Sequence, residues 1–207
     1  MTNFLYKNDL PEEIDLGREV AIDTETMGLN LHRDKLCLIQ FSSGDGNAHL
    51  VQIEKNFTKS PNICNILKDQ KKLKIFHYAR FDVAVLQKKF QILTKPIYCT
   101  KIASKLVRTF TDRHGLKNLT SDLLSIDISK SQQSSDWGTN ELSKEQLDYA
   151  ATDVLYLHKL KEKLDEMLHR ENRYSLAQKC FDFTPYRAKL DLDGWENNDI
   201  FSHHEKS

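Results

Sequence analysis

The sequence predicts an α/β fold in which one domain holds a mixed sheet with helices on both faces. Short apolar runs bounded by turn residues, such as the run that ends at residues 20–25, are typical of buried strands. Longer segments with helix-start signals lie between and after these runs, and such alternation favours a sheet with helical layers. The length of 207 residues supports one sizeable core.

The elements follow in a regular order along the chain. Strands are predicted at 20–25, 36–43, 48–53, 73–77 and 97–99. Helices are predicted near 60–70, 81–91, 101–109, 115–124 and 143–170. The turn Gly44-Asp45-Gly46-Asn47 joins the second strand to the third, so the first three strands are expected to be antiparallel. Ser143, with Gln146 three residues later, forms a capping box that begins the last helix.

Composition indicates an ordinary soluble protein. Hydrophobic residues make up 39% and charged residues 29%, and no apolar run approaches the length of a membrane span. The first residues lack the basic and then apolar arrangement of a secretory signal. Four cysteines lie far apart without a CxxC pair, which predicts reduced thiols and a cytoplasmic location.

Charge is unevenly distributed although the net charge is zero. Residues 68–117 hold thirteen Lys or Arg against three Asp, so the rest of the chain carries a matching negative excess. A basic stretch is often a solvated face, but next to a metal site it would offset phosphate charge. The lack of a positive field over the whole chain argues against tight binding of long nucleic acid and favours a small substrate.

Two carboxylates close the first predicted strand. Asp23 and Glu25 are two residues apart, so they point to the same face of a strand. Neighbouring like charges are unfavourable unless a positive group lies between them, and a divalent cation is the usual one. D-x-E alone is common by chance, so the pattern needs support from the rest of the chain.

Two later segments provide that support. Asp82 lies at a strand-to-helix junction, where side chains face solvent or ligand. Tyr149 and Asp153 are four residues apart and therefore share one face of the last predicted helix. Acidic residues on three separate elements are hard to explain by packing, because Asp and Glu are rarely buried without partners.

The spacing D-x-E, then H-x3-F-D, then Y-x3-D resembles the three motifs of the DEDD exonuclease superfamily in its tyrosine-containing branch. The histidine-containing branch has a histidine five residues before the last aspartate, where this chain has Asp148. The segment 130–137 and the stretch Leu142–Leu157 are similar to RNase D. Along nearly its whole length the chain is similar to the nanoRNase C family, which consists of compact relatives of RNase D.

The resemblance implies an RNase H-like (DnaQ-like) fold and a two-metal site that uses Mg²⁺ or Mn²⁺. Asp23, Glu25 and Asp153 would hold the ion that binds the attacking water. Asp23 would bridge to a second ion, helped by Asp82, and two such ions about 3.5–4 Å apart activate water and stabilise the leaving oxygen. Tyr149 would orient the water, because a free tyrosine with a pKa near 10 is a poor base at neutral pH.

Other residues are candidates for substrate binding, each with a structural alternative. Leu29 could wedge between bases or belong to the core, and Phe81 could stack on a base or pack against the sheet. The RNase D resemblance implies a substrate-side role for part of segment 130–137, although Trp137 could equally be packing. The full set of candidates is Thr24, Leu29, His77, Phe81, Lys130, Gln133, Ser135 and Trp137.

The resemblance therefore implies a metal-dependent 3'-5' exoribonuclease that degrades short oligoribonucleotides, including dinucleotides, with some activity on DNA. RNase D-like trimming of structured RNA 3' ends and a non-catalytic RNA-end-binding module remain alternatives. Residues 1–175 are expected to form the exonuclease domain. Residues 176–207 form a C-terminal tail that packs on this domain or on a neighbouring subunit, and the family resemblance implies a homo-oligomer, an octameric ring.

Overall fold

Six strands and seven α-helices make up the computed structural model, which describes residues 2–54, 57, 59–129, 132 and 134–203. The strands are β1 (Thr2–Lys7), β2 (Glu19–Thr26), β3 (Leu36–Ser42), β4 (Asn47–Gln52), β5 (Leu73–Phe76) and β6 (Ile97–Cys99). The helices are α1 (Pro61–Lys68), α2 (Ala79–Phe90), α3 (Thr100–Val107), α4 (Leu116–Leu124), α5 (Lys144–Leu155), α6 (Leu157–Arg170) and α7 (Tyr174–Leu190). A π-helical turn, Asp191–Trp195, follows α7.

The strands form one mixed sheet in the order β1-β4-β3-β2-β5-β6. β2, β3 and β4 are antiparallel neighbours, as predicted, whereas β1 pairs with β4 in parallel and β5 joins β2 and β6 in parallel. Every residue of β3 is buried, so both faces of the sheet are covered. Helix α5 packs on β2, β3 and β4, and α2 contacts β2, β3, β5 and β6. The predicted α/β mixed sheet with helices is confirmed.

The turn between β3 and β4 shows why glycine is needed at one position. Gly44 has φ +83°, a left-handed conformation that side chains disfavour. A Cβ atom at Gly44 would also lie 2.9 Å from the ring of His158 on α6. This close approach lets α6 cross the end of the hairpin, and His158 Nε2 lies 3.1 Å from the carbonyl of Glu19 at the start of β2.

The sequence analysis missed β1 and predicted one helix over 143–170 where the structure has two. Most residues of β1 are exposed, so the apolar alternation that marks a half-buried strand is absent. Tyr156 separates α5 from α6 with φ −107° and ψ −3°. The break lets α5 lie over β2, β3 and β4 while α6 packs against α3 and α4. Neither Gly nor Pro marks this change of direction in the sequence.

A further helix, α7, lies where the sequence showed little helical periodicity. Its buried residues do follow helical spacing: Ala177, Phe181, Thr184, Pro185 and Ala188. The stripe is hidden because it consists largely of small or polar residues, whereas Phe183 and Tyr186 are exposed on the other side. α7 begins before residue 176 and continues past it, and it packs against α2, α3 and β6.

The cysteines are free thiols, as expected: Cys37, Cys64, Cys99 and Cys180. Within the described residues, no helix combines the length and apolar character that crossing a membrane requires.

Lys74 on β5 is a buried cation that serves the fold. It is fully buried, and its Nζ donates hydrogen bonds to the carbonyl oxygens of Asp69 at 2.6 Å, Lys72 at 2.9 Å and Lys95 at 2.8 Å. Burial lowers the pKa of the Lys74 ammonium to about 8. The side chain therefore ties together the chain segments that flank the β5 end of the sheet.

We expect Lys74→Met to lower the free energy of unfolding by about 2–4 kcal/mol, because several buried carbonyls would lose their donor. Urea denaturation followed by circular dichroism measures the change. Lys71→Met, at an exposed neighbouring position, is the matched control and is expected to change little. Equal stabilities of the two variants would contradict a structural role for the Lys74 ammonium.

Candidate active site

Strand β2 carries the first two carboxylates at the centre of the sheet. Asp23 and Glu25 point to one face and are half-buried, while Thr24 points to the other and is buried. The buried run Val20–Ile22 before them is the apolar segment that makes this stretch a central strand. The register with β3 shifts between Glu25 and Thr26, so the strand irregularity coincides with the end of the acidic motif.

Helix α5 brings the third carboxylate to the same place. The capping box that begins it is confirmed: Ser143 Oγ accepts a hydrogen bond from the Gln146 backbone at 3.2 Å, and Gln146 Oε1 accepts one from the Ser143 backbone at 2.9 Å. Oxygen atoms of Asp23, Glu25 and Asp153 lie within 4.8 Å of one another, close enough to share a metal ion.

Asp82 approaches from α2 through a gap in the sheet. β5 pairs with β2 only as far as Ala21, so within the described part of the chain no strand pairs with β2 on that side of Asp23 and Glu25. The first turn of α2 lies there, and Asp82 Oδ1 accepts a hydrogen bond of 2.7 Å from Thr24 Oγ1. Asp82 is buried, with 3% of its surface exposed. Thr24, a predicted substrate contact, therefore holds the fourth carboxylate.

The start of α2 is held in place from the C-terminal segment. Tyr78, which precedes the helix, has φ +66°, an uncommon backbone conformation for a residue with a side chain. Arg80 donates two hydrogen bonds to the buried Asp191, from Nε at 2.5 Å and from Nη2 at 2.8 Å. Arg187 on α7 adds an ion pair of 2.9 Å to Asp191. The bidentate contact between Arg80 and Asp191 fixes the start of α2, the helix that carries Asp82.

Four carboxylates so close together strongly disfavour ionisation. Burial, followed by the charges of Asp82, Asp153 and Glu25, raises the pKa of Asp23 well above its usual range. Burial and the neighbouring carboxylates raise the pKa of Glu25 to about 9, and burial raises that of Asp82 to about 7. A site of this kind favours a bound cation, which would replace the repulsion by attraction.

Tyr149 lies beside this cluster on α5. Burial, followed by the charges of Asp153, Glu25 and Asp23, raises the pKa of its hydroxyl above the usual value of 10. Its ring is 6.1 Å from that of Trp137, at an interplanar angle of 37°. Trp137 is only 2% exposed, so it packs behind Tyr149. The hydroxyl is a hydrogen-bond donor near the cluster and a weak proton acceptor.

The other predicted substrate contacts lie in different settings. Leu29 is 83% exposed on the loop after β2, so it is not part of the core. His77 Nδ1 is 2.9 Å from Thr100 Oγ1, and Phe81 is partly buried against the core. Ser135 Oγ accepts a hydrogen bond of 3.1 Å from the capping residue Gln146. Lys130 and Gln133 lie outside the described residues.

A cavity of about 670 Å³ lies beside Trp137, and no motif in the sequence predicts it. Lys7 and Lys35 line it from β1 and from the approach to β3, together with Met27 and Cys37. Burial, with the charges of Asp136 and Glu25, raises the pKa of the Cys37 thiol to about 11. The volume of the cavity falls in the range of small-molecule sites.

The sequence also gave no reason to select Gln40 on β3. Its Cα pairs with that of Asp23 in the strand register, and its side chain is fully buried. Only the pairing of two strands brings this residue to the cluster, so no linear motif could have identified it.

Comparison with known proteins confirms the resemblance to exonucleases. A family model described as 3'-5' exonuclease matches residues 6–169. Ribonuclease D of Granulibacter bethesdensis is 32% identical over 154 residues, which are 74% of this chain and 38% of that protein. Ribonuclease D of Gluconacetobacter diazotrophicus is also 32% identical over 154 residues. The matched part is 39% of the second relative, so the chain spans about two fifths of the length of these relatives.

Solved structures agree with this assignment. Brucella melitensis NrnC with bound Mg²⁺ has 52% identity and a TM-score of 0.94, and the match covers 99% of this chain and 100% of that one. The same protein bound to pGG has 54% identity and a TM-score of 0.96 at the same coverage. Escherichia coli RNase D shares the fold. Its identity is 24% and its TM-score is 0.73, and the match covers 87% of this chain and 48% of that one. The chain therefore belongs to the 3'-5' exonuclease family and is a homologue of ribonuclease D and NrnC.

Proposed function

We propose that the chain is a metal-dependent 3'-5' exoribonuclease that degrades short oligoribonucleotides, including dinucleotides, to mononucleotides. The observation that carries this proposal is the cluster of Asp23, Glu25 and Asp153, whose oxygens lie within 4.8 Å of one another in a chain of the 3'-5' exonuclease family. The likeness to a protein that has been solved with pGG supports a short substrate.

The carboxylates suit Mg²⁺ or Mn²⁺, because hard cations prefer oxygen ligands and this cluster is rich in them. Asp23, Glu25 and Asp153 would hold one ion, and Asp23 with Asp82 would hold a second. Bound ions would neutralise the phosphate, activate water and stabilise the leaving oxygen. The raised pKa values of Asp23 and Glu25 support this assignment, since their causes are burial and the charges of the neighbouring carboxylates.

Among the side chains, we assign Tyr149 the task of orienting the attacking water. Its raised pKa keeps the hydroxyl protonated at neutral pH, so it can donate a hydrogen bond but is not available as the base. Trp137 would hold the ring of Tyr149 in place rather than contact a base, because it is almost fully buried. The exposed Leu29 would be free to wedge between the last two bases, and Phe81 and His77 would flank the leaving nucleotide beside Asp82.

RNase D-like trimming of structured RNA 3' ends is the second candidate, favoured by the 32% identity to ribonuclease D over 74% of the chain. A non-catalytic RNA-end-binding module would lack at least one site carboxylate, whereas this chain has all four together with Tyr149. Activity on DNA is part of the proposal, because no residue of the site has been assigned to the 2'-hydroxyl.

We expect Asp23→Asn to abolish hydrolysis and the thermal stabilisation that Mg²⁺ or Mn²⁺ would otherwise produce. The cation-free protein should unfold at an equal or higher temperature, since one mutually repelling carboxylate is gone. Thermal unfolding with and without cation, together with RNA hydrolysis, tests both effects. Asp148→Asn, at an exposed position on the helix that carries Asp153, is the control. Activity above a few per cent of wild type in Asp23→Asn would rule out the two-metal assignment.

Tyr149→Phe keeps the ring against Trp137 and removes only the hydroxyl. We expect turnover to fall by about 10²–10⁴-fold, with little change in substrate affinity or stability, because a positioned group contributes about that much. Steady-state and single-turnover kinetics on a 5'-labelled oligonucleotide separate these quantities. Tyr156→Phe, at the junction after α5, is the matched control. Normal turnover in Tyr149→Phe would make the hydroxyl structural.

The preferred length separates the two candidate functions. A site without extended phosphate contacts should cut a dinucleotide faster than a twenty-mer, and its rate should depend weakly on salt. The measurement is the release of mononucleotides from 5'-labelled RNA of both lengths at equal concentration, between 50 and 200 mM salt, with deoxy versions alongside. A faster reaction on the twenty-mer would replace the short-RNA proposal by RNase D-like trimming.

We further propose that residues 176–207 take part in a homo-oligomer, an octameric ring by resemblance. Large apolar side chains of this segment are exposed in the single chain: Leu176, Phe183, Tyr186, Trp195, Ile200 and Phe201. Such a patch on a lone subunit favours burial against a neighbour.

Light scattering at micromolar concentration should show that the wild-type chain forms an assembly. The double variant Phe183→Ser with Phe201→Ser should weaken this assembly. These two rings contact each other at 5.7 Å, so the pair removes the centre of the patch. Phe110→Ser, at a residue that is 78% exposed outside this segment, should leave the assembly intact. A monomeric wild-type protein would contradict the proposal.

A further inference from the structure

Gln40 is a buried amide without a hydrogen-bond partner. Its side chain is fully buried in β3, and among the described residues neither its Nε2 nor its Oε1 has a partner. An unpaired buried amide is costly because it has lost its hydrogen bonds to water, so native proteins seldom retain one without a reason. At Gln40 both the donor Nε2 and the acceptor Oε1 are buried without a partner, so two polar groups lack a hydrogen bond.

The position of Gln40 in the sheet limits which groups it can reach. It pairs with Asp23 on one side and with Leu50 of β4 on the other, and Leu50 pairs with Leu5 of β1. Directly opposed residues project from the same face, with Cβ atoms about 4.5–5.5 Å apart. Besides Gln40, Asp23 is the polar member of this cross-strand row, so the unpaired amide lies on the same face of the sheet as the Asp23 carboxylate.

The chemistry of the pair is complementary. The Gln40 amide offers two N–H donors, and an ionised Asp23 carboxylate accepts only. Asp23 is also the carboxylate that the proposed function places between two cations, so its orientation matters more than that of the other ligands. Groups that hydrogen-bond to a metal ligand fix its orientation, and their loss typically reduces metal affinity by about 10–100-fold.

We propose that Gln40 is a positioning residue for the metal site, which donates a hydrogen bond from Nε2 to the Asp23 carboxylate and fixes it for divalent cations. This inference rests on the proposed metal-dependent function. It gives a buried, otherwise costly amide a reason to be in the core. An apolar residue of the same shape would pack equally well between Asp23 and Leu50 but could not orient a carboxylate.

The experiment compares Gln40→Met with wild type by titrating Mn²⁺ into the purified chain without substrate, using calorimetry. Methionine has nearly the same shape and removes both unpaired atoms. We expect the unfolding temperature without cation to stay equal or rise, while Mn²⁺ affinity falls about 10–100-fold. Gln87→Met, at a glutamine of α2 that also has a buried unpaired oxygen, is the matched control and should leave the affinity unchanged.

Affinity within twofold of wild type in Gln40→Met would overturn the proposal, whether or not stability changes. Gln40→Leu, with a smaller side chain, repeats the test if the methionine variant folds poorly, and the same loss of affinity is expected. Since the readout is cation binding without RNA, a failure of this inference is distinct from a failure of the nuclease function. If Gln40→Met binds Mn²⁺ as wild type does and the wild-type chain hydrolyses RNA, only the role of Gln40 is wrong. If Gln40→Met loses Mn²⁺ affinity and the wild-type chain hydrolyses no RNA, only the nuclease function is wrong.

Discussion

Electrostatic repulsion among carboxylates is the constraint on which the site depends. Asp23, Glu25 and Asp153 are held within 4.8 Å of one another by a strand and a helix, and Asp82 is fixed nearby by Thr24. Such an arrangement opposes folding, because each carboxylate raises the pKa of its neighbours and burial raises it further. The surrounding fold must therefore be rigid enough to impose a geometry that the acidic side chains resist.

That rigidity comes from the elements around β2. The central strand is held by β3 on one side, and it is left open on the other side beyond Ala21, where α2 begins. The capping box at Ser143 fixes the start of α5, and the pairing of Arg80 with Asp191 fixes α2 from the C-terminal segment. The four carboxylates thus come from three elements, β2, α2 and α5, and the cluster forms only when these elements have packed together.

The C-terminal segment supports the site on its inner side and exposes an apolar surface on its outer side. Through Asp191 it is tied to the helix of Asp82, while its outer surface exposes aromatic residues that include Trp195 and Phe201. An assembly formed through that surface would be mechanically connected to α2. Catalytic geometry and subunit contact would then be linked through the ion pair between the partly exposed Arg80 and the buried Asp191.

The sequence by itself determined the parts of this protein that are local. Apolar runs with turn residues predicted β2 to β6, the capping box predicted the start of α5, and the motif spacing identified the acidic residues together with Tyr149. These features depend on periodicity and side-chain chemistry within a few residues. The missed elements depend on long-range contacts: exposed β1 gains its structure from pairing with β4, and the buried stripe of α7 is small or polar apart from Phe181, so its apolar signal is weak. Only the tertiary structure placed Gln40 opposite Asp23, buried Trp137 behind Tyr149 and joined Arg80 to Asp191, because the pairing of distant segments is set by packing and strand register rather than by any neighbouring residue.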